Sequence, residues 1–465
     1  MLNKIIGIIN ESLYSYILII LLIAGGVYFS AVTGFVQFRR IGQQFKSILE
    51  KPTNKKGVSP FQALIVSTAS RVGTGNIIGV SSAICMGGFG SVFWMWLIAI
   101  IGSASAYAES TLAQIFKKRG KDGCYGGPAY YIETLNLKPL ALVFTICLIL
   151  TYGFGFNMLA SFNLQSTFSG YGFYNENYTP WIIGAIVALA VAFCLFGGGR
   201  GIIKVTEFLV PIMGIVYVLV ALALTLLNFN MLPQVMDRIF SEAFDFKAIF
   251  GGFGGSCVMY GIKRGLFSNE AGVGSAPNAS SSAEISHPVK QGLVQVLSVF
   301  IDTILICTAT AFMCMCSGVE PNESIAGAQY VQLSLAETLG SLGPIFITVT
   351  MILFAFTTLL GNLYYVDKGI NYLAGRELPK KIMNIIHICF ALVIFVGAGL
   401  NATFLWNVAD VTMGLMTLIN MPVIIALSKY VIRATRDFDR QLKDGKNPTF
   451  KSKDIGIDKE LDYWQ

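Results

Sequence analysis

The feature that most constrains the fold of this 465-residue chain is a series of long apolar runs separated by short polar loops. A helix needs roughly 20 apolar residues to cross the hydrocarbon core of a bilayer. Only 13% of the residues are charged, against about 25% in ordinary soluble domains. The backbone of a spanning segment must satisfy its own hydrogen bonds, which favours helices. The sequence therefore predicts an all-α polytopic membrane protein with about eleven transmembrane helices.

Basic residues mark the loops on one side of the predicted spans. Arg39, Arg40 and Lys46 follow the first span, and later basic loops alternate with loops that carry few basic residues. Because Lys and Arg accumulate in cytoplasmic loops, we expect a multi-pass protein of the cell (inner) membrane, with its amino terminus outside and its carboxyl terminus in the cytoplasm. The predicted spans are residues 16–38, 61–86, 92–116, 139–162, 181–196, 208–227, 246–283, 294–316, 346–366, 382–400 and 411–431.

The spans after the first divide into two sets of five, and each set begins with a helix interrupted by glycines. Five is an odd number, so the two sets enter the membrane from opposite sides, which is typical of an inverted-topology repeat. We therefore predict an extra amino-terminal helix and loop in residues 1–58, a first repeat in 59–232, a second repeat in 233–436 and a cytoplasmic tail in 437–465. Paired broken helices in such repeats mark a binding site near the membrane midplane.

The first predicted break lies within residues 67–80, which read S-T-A-S-R-V-G-T-G-N-I-I-G-V. The new half-helix would present free backbone amides and a positive dipole end, which suit a carboxylate. The preceding half-helix would end in unpaired carbonyls that suit a small hard cation such as sodium. A glycine-rich crossing packed closely on a neighbouring helix is the alternative. The residues proposed for the carboxylate cradle are Gly73, Thr74, Gly75 and Asn76.

The second predicted break spans residues 261–277 and contains three charged residues, Lys263, Arg264 and Glu270. A charge at the centre of a span costs about 2.5–3.5 kcal/mol on insertion scales, so each needs a partner or water. We interpret these residues as gating or positioning ion pairs. The alternative is an ordinary cytoplasmic loop, which the apolar, glycine-rich flanks disfavour.

Two motifs resemble those of a known family. The runs T-A-S-R-V-G-T-G-N-I-I-G-V and G-I-K-R-G-L-F-S-N-E-A-G-V-G-S-A-P are similar to segments of the alanine or glycine:cation symporters, also called sodium:alanine symporters. The resemblance implies a leucine-transporter-type fold of five plus five helices with one extra amino-terminal helix. It also implies symport of a small amino acid with a sodium ion.

The resemblance further implies roles for individual residues. Arg71 stands where the related neurotransmitter:sodium symporters have a small residue; it is either a gate residue on the cytoplasmic side or a replacement for an ion that relatives bind. The implied substrate contacts are Gly75, Asn76, Gln165, Phe267 and Thr358. The implied sodium ligands are the carbonyls of Ala69 and Val72 with the hydroxyl of Thr357 or Thr358.

We therefore expect a sodium-coupled symporter that moves alanine or glycine into the cell by alternating access. Proton coupling through Glu109, Asp302 or Asp410 is an alternative, since intramembrane carboxyl groups serve proton relays, and a channel is a more distant one. The sequence contains no G-x-x-x-x-G-K-[ST] phosphate loop, so an ATP-driven enzyme is disfavoured. Besides the lipid bilayer, neither nucleic acid nor an obligate protein partner is indicated.

The first testable prediction concerns Asn362, four residues after Thr358 and hence on the same helix face. The family often has an aromatic residue at this position. Asparagine is smaller and forms hydrogen bonds, so glutamine or another polar neutral amino acid is an alternative substrate. We expect Asn362→Trp to shift the preference towards alanine over glutamine in competition uptake, and an unchanged preference would contradict this interpretation.

Overall fold

The computed structural model of the protein describes residues 2–52, 57–120, 123–245, 256–457 and 461–464. Eight helices in this part of the chain are long and apolar enough to cross a membrane, and two shorter apolar helices accompany them. In chain order the helices are α1 (Lys4–Val32), α2 (Val36–Arg39), α3 (Ile41–Ile48), α4 (Pro60–Arg71), α5 (Gly75–Gly87), α6 (Gly90–Ile115), α7 (Pro128–Glu133), α8 (Lys138–Ser166), α9 (Thr179–Leu195), α10 (Gly198–Leu227), α11 (Leu232–Ala243), α12 (Cys257–Asn269), α13 (Pro277–Ser280), α14 (Pro288–Met315), α15 (Ala328–Leu339), α16 (Leu342–Ala374), α17 (Lys380–Ala398), α18 (Ala402–Ala426) and α19 (Ser428–Lys443).

The predicted all-α fold class is confirmed, since helices make up most of the described chain and strands almost none of it. Its strands, β1 (Lys118–Arg119) and β2 (Cys124–Tyr125), form a short antiparallel hairpin. Within the described ranges, turns of 3₁₀-helix occur in loops at Phe229–Met231, Glu323–Ile325 and Ser452–Ile455. Each predicted span corresponds to one helix or to one interrupted pair, and α4–α5 and α12–α13 are the interrupted pairs.

The prediction for the first span, residues 16–38, is wrong at both ends. Helix α1 runs over Lys4–Val32, because Asn10 and Tyr14 are buried against α18 instead of lying in a loop. Asn10 donates a hydrogen bond to Asn407 at 2.6 Å, and Tyr14 donates one to the carbonyl of Asp410 at 3.1 Å. The helix ends where Gly34 turns into the left-handed region, with φ of +64°.

The predicted position of the second break is also corrected. The predicted span begins with residues 246–255, which lie outside the described residues. Within the predicted break of residues 261–277, α12 is regular up to Asn269, so Lys263 and Arg264 lie in a helix. Gly261 and Gly265 permit close packing on α6. A Cβ added to Gly261 would lie 2.4 Å from the carbonyl oxygen of Ser91, and one added to Gly265 would lie 2.6 Å from the side chain of Ile98. The interruption itself covers residues 270–276.

The long helices pack in two groups. In the first, α6 packs against α1, α12 and α14, and α12 also packs against α5. In the second, α17 packs against α8 and α9, and α8 packs against α16. Helix α16 also packs along α4, so the first interrupted helix lies between the groups. The division of the chain into two inverted repeats stays a prediction.

The two ends of the bundle differ in charge. We call one end the basic face; it carries the loops around Arg39, Lys117, Lys290, Lys368 and Arg433. The opposite face carries residues 167–178, 228–245 and 317–341. Contacts within each face bring these loops together, for example the ion pair of Arg39 with Asp439 at 2.7 Å and that of Arg238 with Glu320 at 2.9 Å.

The carboxyl-terminal segment, residues 444–457 and 461–464, packs on the basic face instead of extending from it. Phe450 contacts both His287 and Trp464, with ring centroids 5.3 and 5.1 Å away. The Trp464 indole N–H donates to the carbonyl of Gln114 at 2.7 Å. Burial lowers the pKa of Lys117 to about 8, and its ammonium lies 3.8 Å from the centre of the Tyr463 ring, which favours the charged form.

We predict that Trp464→Ala detaches this segment and leaves the transmembrane bundle folded. Trp464 is buried, and truncating a buried aromatic side chain typically costs about 3–5 kcal/mol. Hydrogen exchange measured by mass spectrometry should show faster exchange in residues 446–457, while α6 and α14 remain protected. Lys453→Ala, at an exposed position of the same segment, is the control. Unchanged exchange in Trp464→Ala would contradict the prediction.

Candidate functional site

The two helix interruptions meet inside the bundle. Helix α4 ends at Arg71, Val72 is extended with ψ of 94°, and α5 begins with a wide π-helical turn at Gly75–Gly79. The amide of Asn76 donates to the hydroxyl of Ser268 at 3.1 Å. A Cβ added to Gly75 would lie 2.9 Å from the ring of Phe267. The residues that open α5 therefore contact the end of α12 directly.

Helix α16 closes the first interruption on a second side. A Cβ added to Gly73 would lie 1.8 Å from the hydroxyl oxygen of Thr358, so only glycine fits at this position without a shift. The Thr358 hydroxyl is buried and has no hydrogen-bond partner among the described residues. In contrast, the neighbouring hydroxyl of Thr357 donates to carbonyls of its own helix at 3.0 and 3.1 Å. Of the two threonines, Thr358 is thus the one that faces the interruption.

Asn76 fixes the shape of the first interruption. Its side-chain oxygen accepts from the backbone N–H of Gly73 at 2.7 Å, and its side-chain nitrogen donates to the carboxylate of Asp302 at 2.7 Å. One amide of the predicted cradle is therefore already occupied. The N–H groups of Thr74, the N-cap of α5, and of Gly75, its first residue, have no intrahelical acceptor. The positive end of the helix dipole lies in the same region.

Asp302 also belongs to this site. From sequence it is a candidate for proton coupling, but its contact with the first interruption is not predicted. It lies in a π-helical stretch of α14, Phe300–Cys307, and is fully buried. Besides the Asn76 bond, its carboxylate accepts from the hydroxyls of Ser268 and Thr303, each at 2.7 Å. Within the described residues no Lys or Arg approaches it within salt-bridge distance. The π-helical stretch marks this position as a candidate functional site, since such turns frequently accompany functional sites. It is visible only in the structure.

Arg71 turns away from the interruption and towards α14. Its guanidinium donates to the side-chain oxygen of Gln295 at 3.0 Å, and Gln295 donates to the hydroxyl of Ser67 at 3.0 Å. Two of its nitrogens, Nε and Nη2, are buried without hydrogen-bond partners among the described residues. Its positive charge lies at the carbonyl end of α4, where a helix dipole favours cations.

Glu270 links the two interruptions on their other side. It adopts the left-handed conformation that ends α12, with φ of +53°. Its carboxylate accepts from the hydroxyls of Ser275 at 2.6 Å and Ser70 at 3.5 Å. The Ser70 hydroxyl also approaches the side-chain oxygen of Asn362 at 2.6 Å, and Asn362 donates to Asn157 at 3.0 Å. Because the amide of Asn362 has these polar partners, an Asn362→Trp variant needs a check of its folding.

Aromatic and ionic contacts cover the interruptions towards the opposite face. The ring of Phe267 lies between Phe156 and Trp406, with centroids 4.6 and 4.9 Å away. The guanidinium of Arg264 lies 3.9 Å from the centre of the Trp406 ring and pairs with Asp410 at 3.2 Å. Lys263 pairs with the same carboxylate at 3.0 Å. Lys263 and Arg264 thus share Asp410 as an ion-pair partner, and a gating role for them stays a prediction.

Gln165 lies further from the described contacts of the site. Its side-chain oxygen accepts a hydrogen bond from Tyr174, at 2.9 Å, in a loop of the opposite face. The described contact between α8 and the first interruption is made by Asn163, which donates to the hydroxyl of Thr74 at 3.1 Å. A substrate role for Gln165 stays a prediction.

A cavity of about 740 Å³ opens on the basic face beside the start of α4. Its wall includes Val58, Gln62, Ile203, Ser282 and Tyr364. The cavity thus reaches the start of α4 and Ser282, just after α13, whereas aromatic and ionic contacts cover the interruptions towards the opposite face. This arrangement suits a carrier that exposes a central site to one side of the membrane at a time.

Comparisons with known proteins agree with this geometry. A model of the sodium:alanine symporter family matches residues 1–452. The amino-acid carrier protein AlsT of Bacillus subtilis is 39% identical over 464 residues, covering 100% of this chain and 98% of the relative. The probable sodium/glutamine symporter GlnT of the same organism is 40% identical over 452 residues, with coverages of 97% and 93%. The sodium/alanine symporter AgcS of Methanococcus maripaludis is 33% identical over 461 residues, with coverages of 95% and 98%.

Among solved structures, the fold is similar to that of MhsT in complex with L-phenylalanine. The TM-score is 0.61 at 17% sequence identity, and the alignment covers 83% of this chain and 93% of MhsT. At this identity the likeness establishes the fold alone, and the predicted leucine-transporter-type fold is confirmed. The family consists of transporters, which are not enzymes, and the apolar helices make this chain a multi-pass membrane protein. By its match over residues 1–452 and its identity to full-length relatives, the chain belongs to the sodium:alanine symporter family.

Proposed function

We propose that this protein is a sodium-coupled symporter that carries a small neutral amino acid, alanine or glycine, into the cell. The single observation that carries the proposal is the contact of the two helix interruptions at Gly75 with Phe267 and Asn76 with Ser268. The orientation follows from the charge of the loops, with the basic face in the cytoplasm and the amino terminus outside. The cell (inner) membrane is the proposed location.

The amino acid would bind between the two interruptions. Its carboxylate is proposed to accept hydrogen bonds from the first amides of α5, at Thr74 and Gly75, with Gly73 and Asn76 shaping the turn. The carbonyl end of α12 supplies the negative dipole end that suits the ammonium group. Phe267 packs against Gly75 and would limit the size of the side chain. Gln165, Thr358 and Asn362 remain proposed contacts around this position.

Sodium would bind at the carbonyl end of α4. The residues fit the ion, because a sodium ion prefers oxygen ligands and the buried hydroxyl of Thr358 has no hydrogen-bond partner in the part of the chain that the structure describes. The carbonyls of Ala69 and Val72 are proposed as its companions. Thr357 is the weaker candidate, since its hydroxyl is bonded within its own helix.

We also propose that Asp302 binds a second sodium ion. A fully buried carboxylate without a cationic partner is costly, so it requires a proton or a metal ion. Ser268 and Thr303 place two further oxygens beside it, and hard cations prefer oxygen ligands. Because Asn76 contacts both Asp302 and Gly73, an ion held here would be linked to the proposed carboxylate cradle.

Alternating access would use the asymmetry of the two faces. The contacts of Lys263 and Arg264 with Asp410, and of Phe267 with Trp406, are proposed as the outer gate. Arg71 and Glu270 would position the interrupted ends through Gln295 and Ser70. Opening the outer gate requires both cations to part from one carboxylate.

Glutamine is the second candidate substrate. The observation that favours it is the fully buried amide of Asn362, which places a polar group beside Ser70 of the first interruption. The relative named as a probable sodium/glutamine symporter is 40% identical to this chain, and related sites with a shared scaffold differ in substrate through a few contacts.

The proposed function predicts that an inward sodium gradient drives alanine uptake into proteoliposomes. Thr358→Val should weaken the apparent sodium affinity by roughly ten- to a hundredfold, since losing a bond to a charged group costs about 1.5–3 kcal/mol. Thr357→Val, the same change one residue away, is the matched control and should shift it far less. Uptake that ignores the sodium gradient, with glycine and glutamine tested alongside, would refute the proposal.

A separate prediction concerns Asp302. Asp302→Asn keeps the size of the side chain and removes its charge, so one sodium should be lost from the coupling. The slope of logarithmic alanine affinity against logarithmic sodium concentration, measured by equilibrium binding, should fall by about one. Glu109→Gln removes another fully buried carboxylate and should leave the slope unchanged. An unchanged slope in Asp302→Asn would show that its carboxylate binds a proton or serves packing only.

A further inference from the structure

A second cavity, of about 810 Å³, lies on the basic face where α8 begins and α16 ends. None of its lining residues belongs to the interrupted helices. Its wall is formed by the β1–β2 hairpin, α7 and the polar ends of α8 and α16. Five cationic side chains line it: Lys118, Arg119, Lys138, Lys368 and Arg376. Two carboxylates, Glu133 and Glu377, also line it, so the wall carries a net positive charge.

The cations of this cavity are not neutralised by the carboxylates nearby. Within the described residues, none of the five forms a salt bridge. Glu133 instead accepts a hydrogen bond from the hydroxyl of Tyr372 at 2.7 Å. Arg119 donates a hydrogen bond to the carbonyl of Tyr463 at 3.1 Å, which leaves its charge uncompensated. Several cations without ion pairs in one concave site repel one another and attract an anion. The charge of the wall therefore points to an anionic group as its complement.

Three tyrosine rings that pack against one another form part of the cavity wall. Tyr130 stands between Tyr125 and Tyr372, with ring centroids 5.6 and 5.2 Å away in edge-to-face contacts. The ammonium of Lys118 lies 5.5 Å from the centre of the Tyr130 ring. Tyrosine rings are typical of the membrane–water interface, where one end is apolar and the other is wet. These rings suit a cavity at the depth of lipid headgroups.

An apolar stripe leads from the cavity along the outer side of α8. Leu142, which lines the cavity, is followed at intervals of four residues by Ile146 and Leu150, and the three are 38%, 49% and 44% exposed. Residues four apart lie on one face of a helix. The stripe begins at the headgroup level and continues towards the hydrocarbon core, which is the course of an acyl chain.

We propose that this cavity binds the headgroup of an anionic phospholipid, with an acyl chain along Leu142, Ile146 and Leu150. Basic pockets between transmembrane helices on the cytoplasmic side are suited to such headgroups. A free phosphate would use the cations but not the stripe, so the lipid is the occupant that matches both features. The lipid would tie the hairpin to the ends of α8 and α16.

The test is native mass spectrometry of the full chain in detergent, titrated with phosphatidylglycerol or with phosphatidylcholine of the same chains. Lys138→Gln combined with Arg376→Gln should weaken phosphatidylglycerol binding by roughly tenfold or more, at about a kcal/mol per basic residue. Lys381→Gln combined with Lys429→Gln makes the same charge change at exposed positions of the basic face, and should change binding less than about twofold. Equal thermal unfolding midpoints without added lipid will show that both variants fold.

Two results would overturn the proposal. Equal losses in the two double variants would mean that the whole face attracts anionic lipid without a defined site. Displacement of phosphatidylglycerol by glycerol 3-phosphate, which has the headgroup charge and no acyl chains, would mean that the cavity is a site for a free anion. The lipid site is supported if the protein binds phosphatidylglycerol more tightly than phosphatidylcholine and only the double variant Lys138→Gln with Arg376→Gln loses this preference.

Discussion

The structure depends on how two helices satisfy their backbones where they are interrupted inside the bundle. Free amides and carbonyls at that depth are costly unless protein or a ligand meets them. Asn76 meets this need within the first interruption by accepting from the N–H of Gly73, and it reaches across to Ser268 and Asp302. The same side chain thus supports one interruption and joins it to the other. A site for a ligand with two opposite charges follows, because each interruption leaves one positive and one negative helix end.

Hydropathy was enough to predict most of the fold, because a segment of about twenty apolar residues has few alternatives to a spanning helix. It was less reliable at helix ends. The first turns of α1 contain Asn10, whose partner Asn407 is almost four hundred residues away in the chain. A local pattern holds no information on such a contact. The prediction for the first span therefore began too late.

Glycine-rich segments were informative in one case and misleading in another. Gly73 and Gly75 lie at a true interruption, where Thr358 and Phe267 leave no room for a side chain. Gly261 lies in a regular helix and serves the close packing of α12 on α6. Both uses favour the smallest residue, so composition does not separate them. The left-handed Glu270 marks the actual end of α12, and a glutamate gives no such signal in sequence.

The basic face adds a constraint on how the interrupted helices can move. Val58, just before α4, forms a parallel bridge with Ala283, after α13, and the ammonium of Lys117 donates to the carbonyl of Ala283 at 2.8 Å. Lys117 in turn lies under Tyr463 of the carboxyl-terminal segment. Any motion that widens the basic-face approach between α4 and α13 must break this bridge or carry the segment along. Towards the opposite face, Lys263 and Arg264 share Asp410 instead. Opening one end must therefore break backbone and aromatic contacts, and opening the other must break ion pairs.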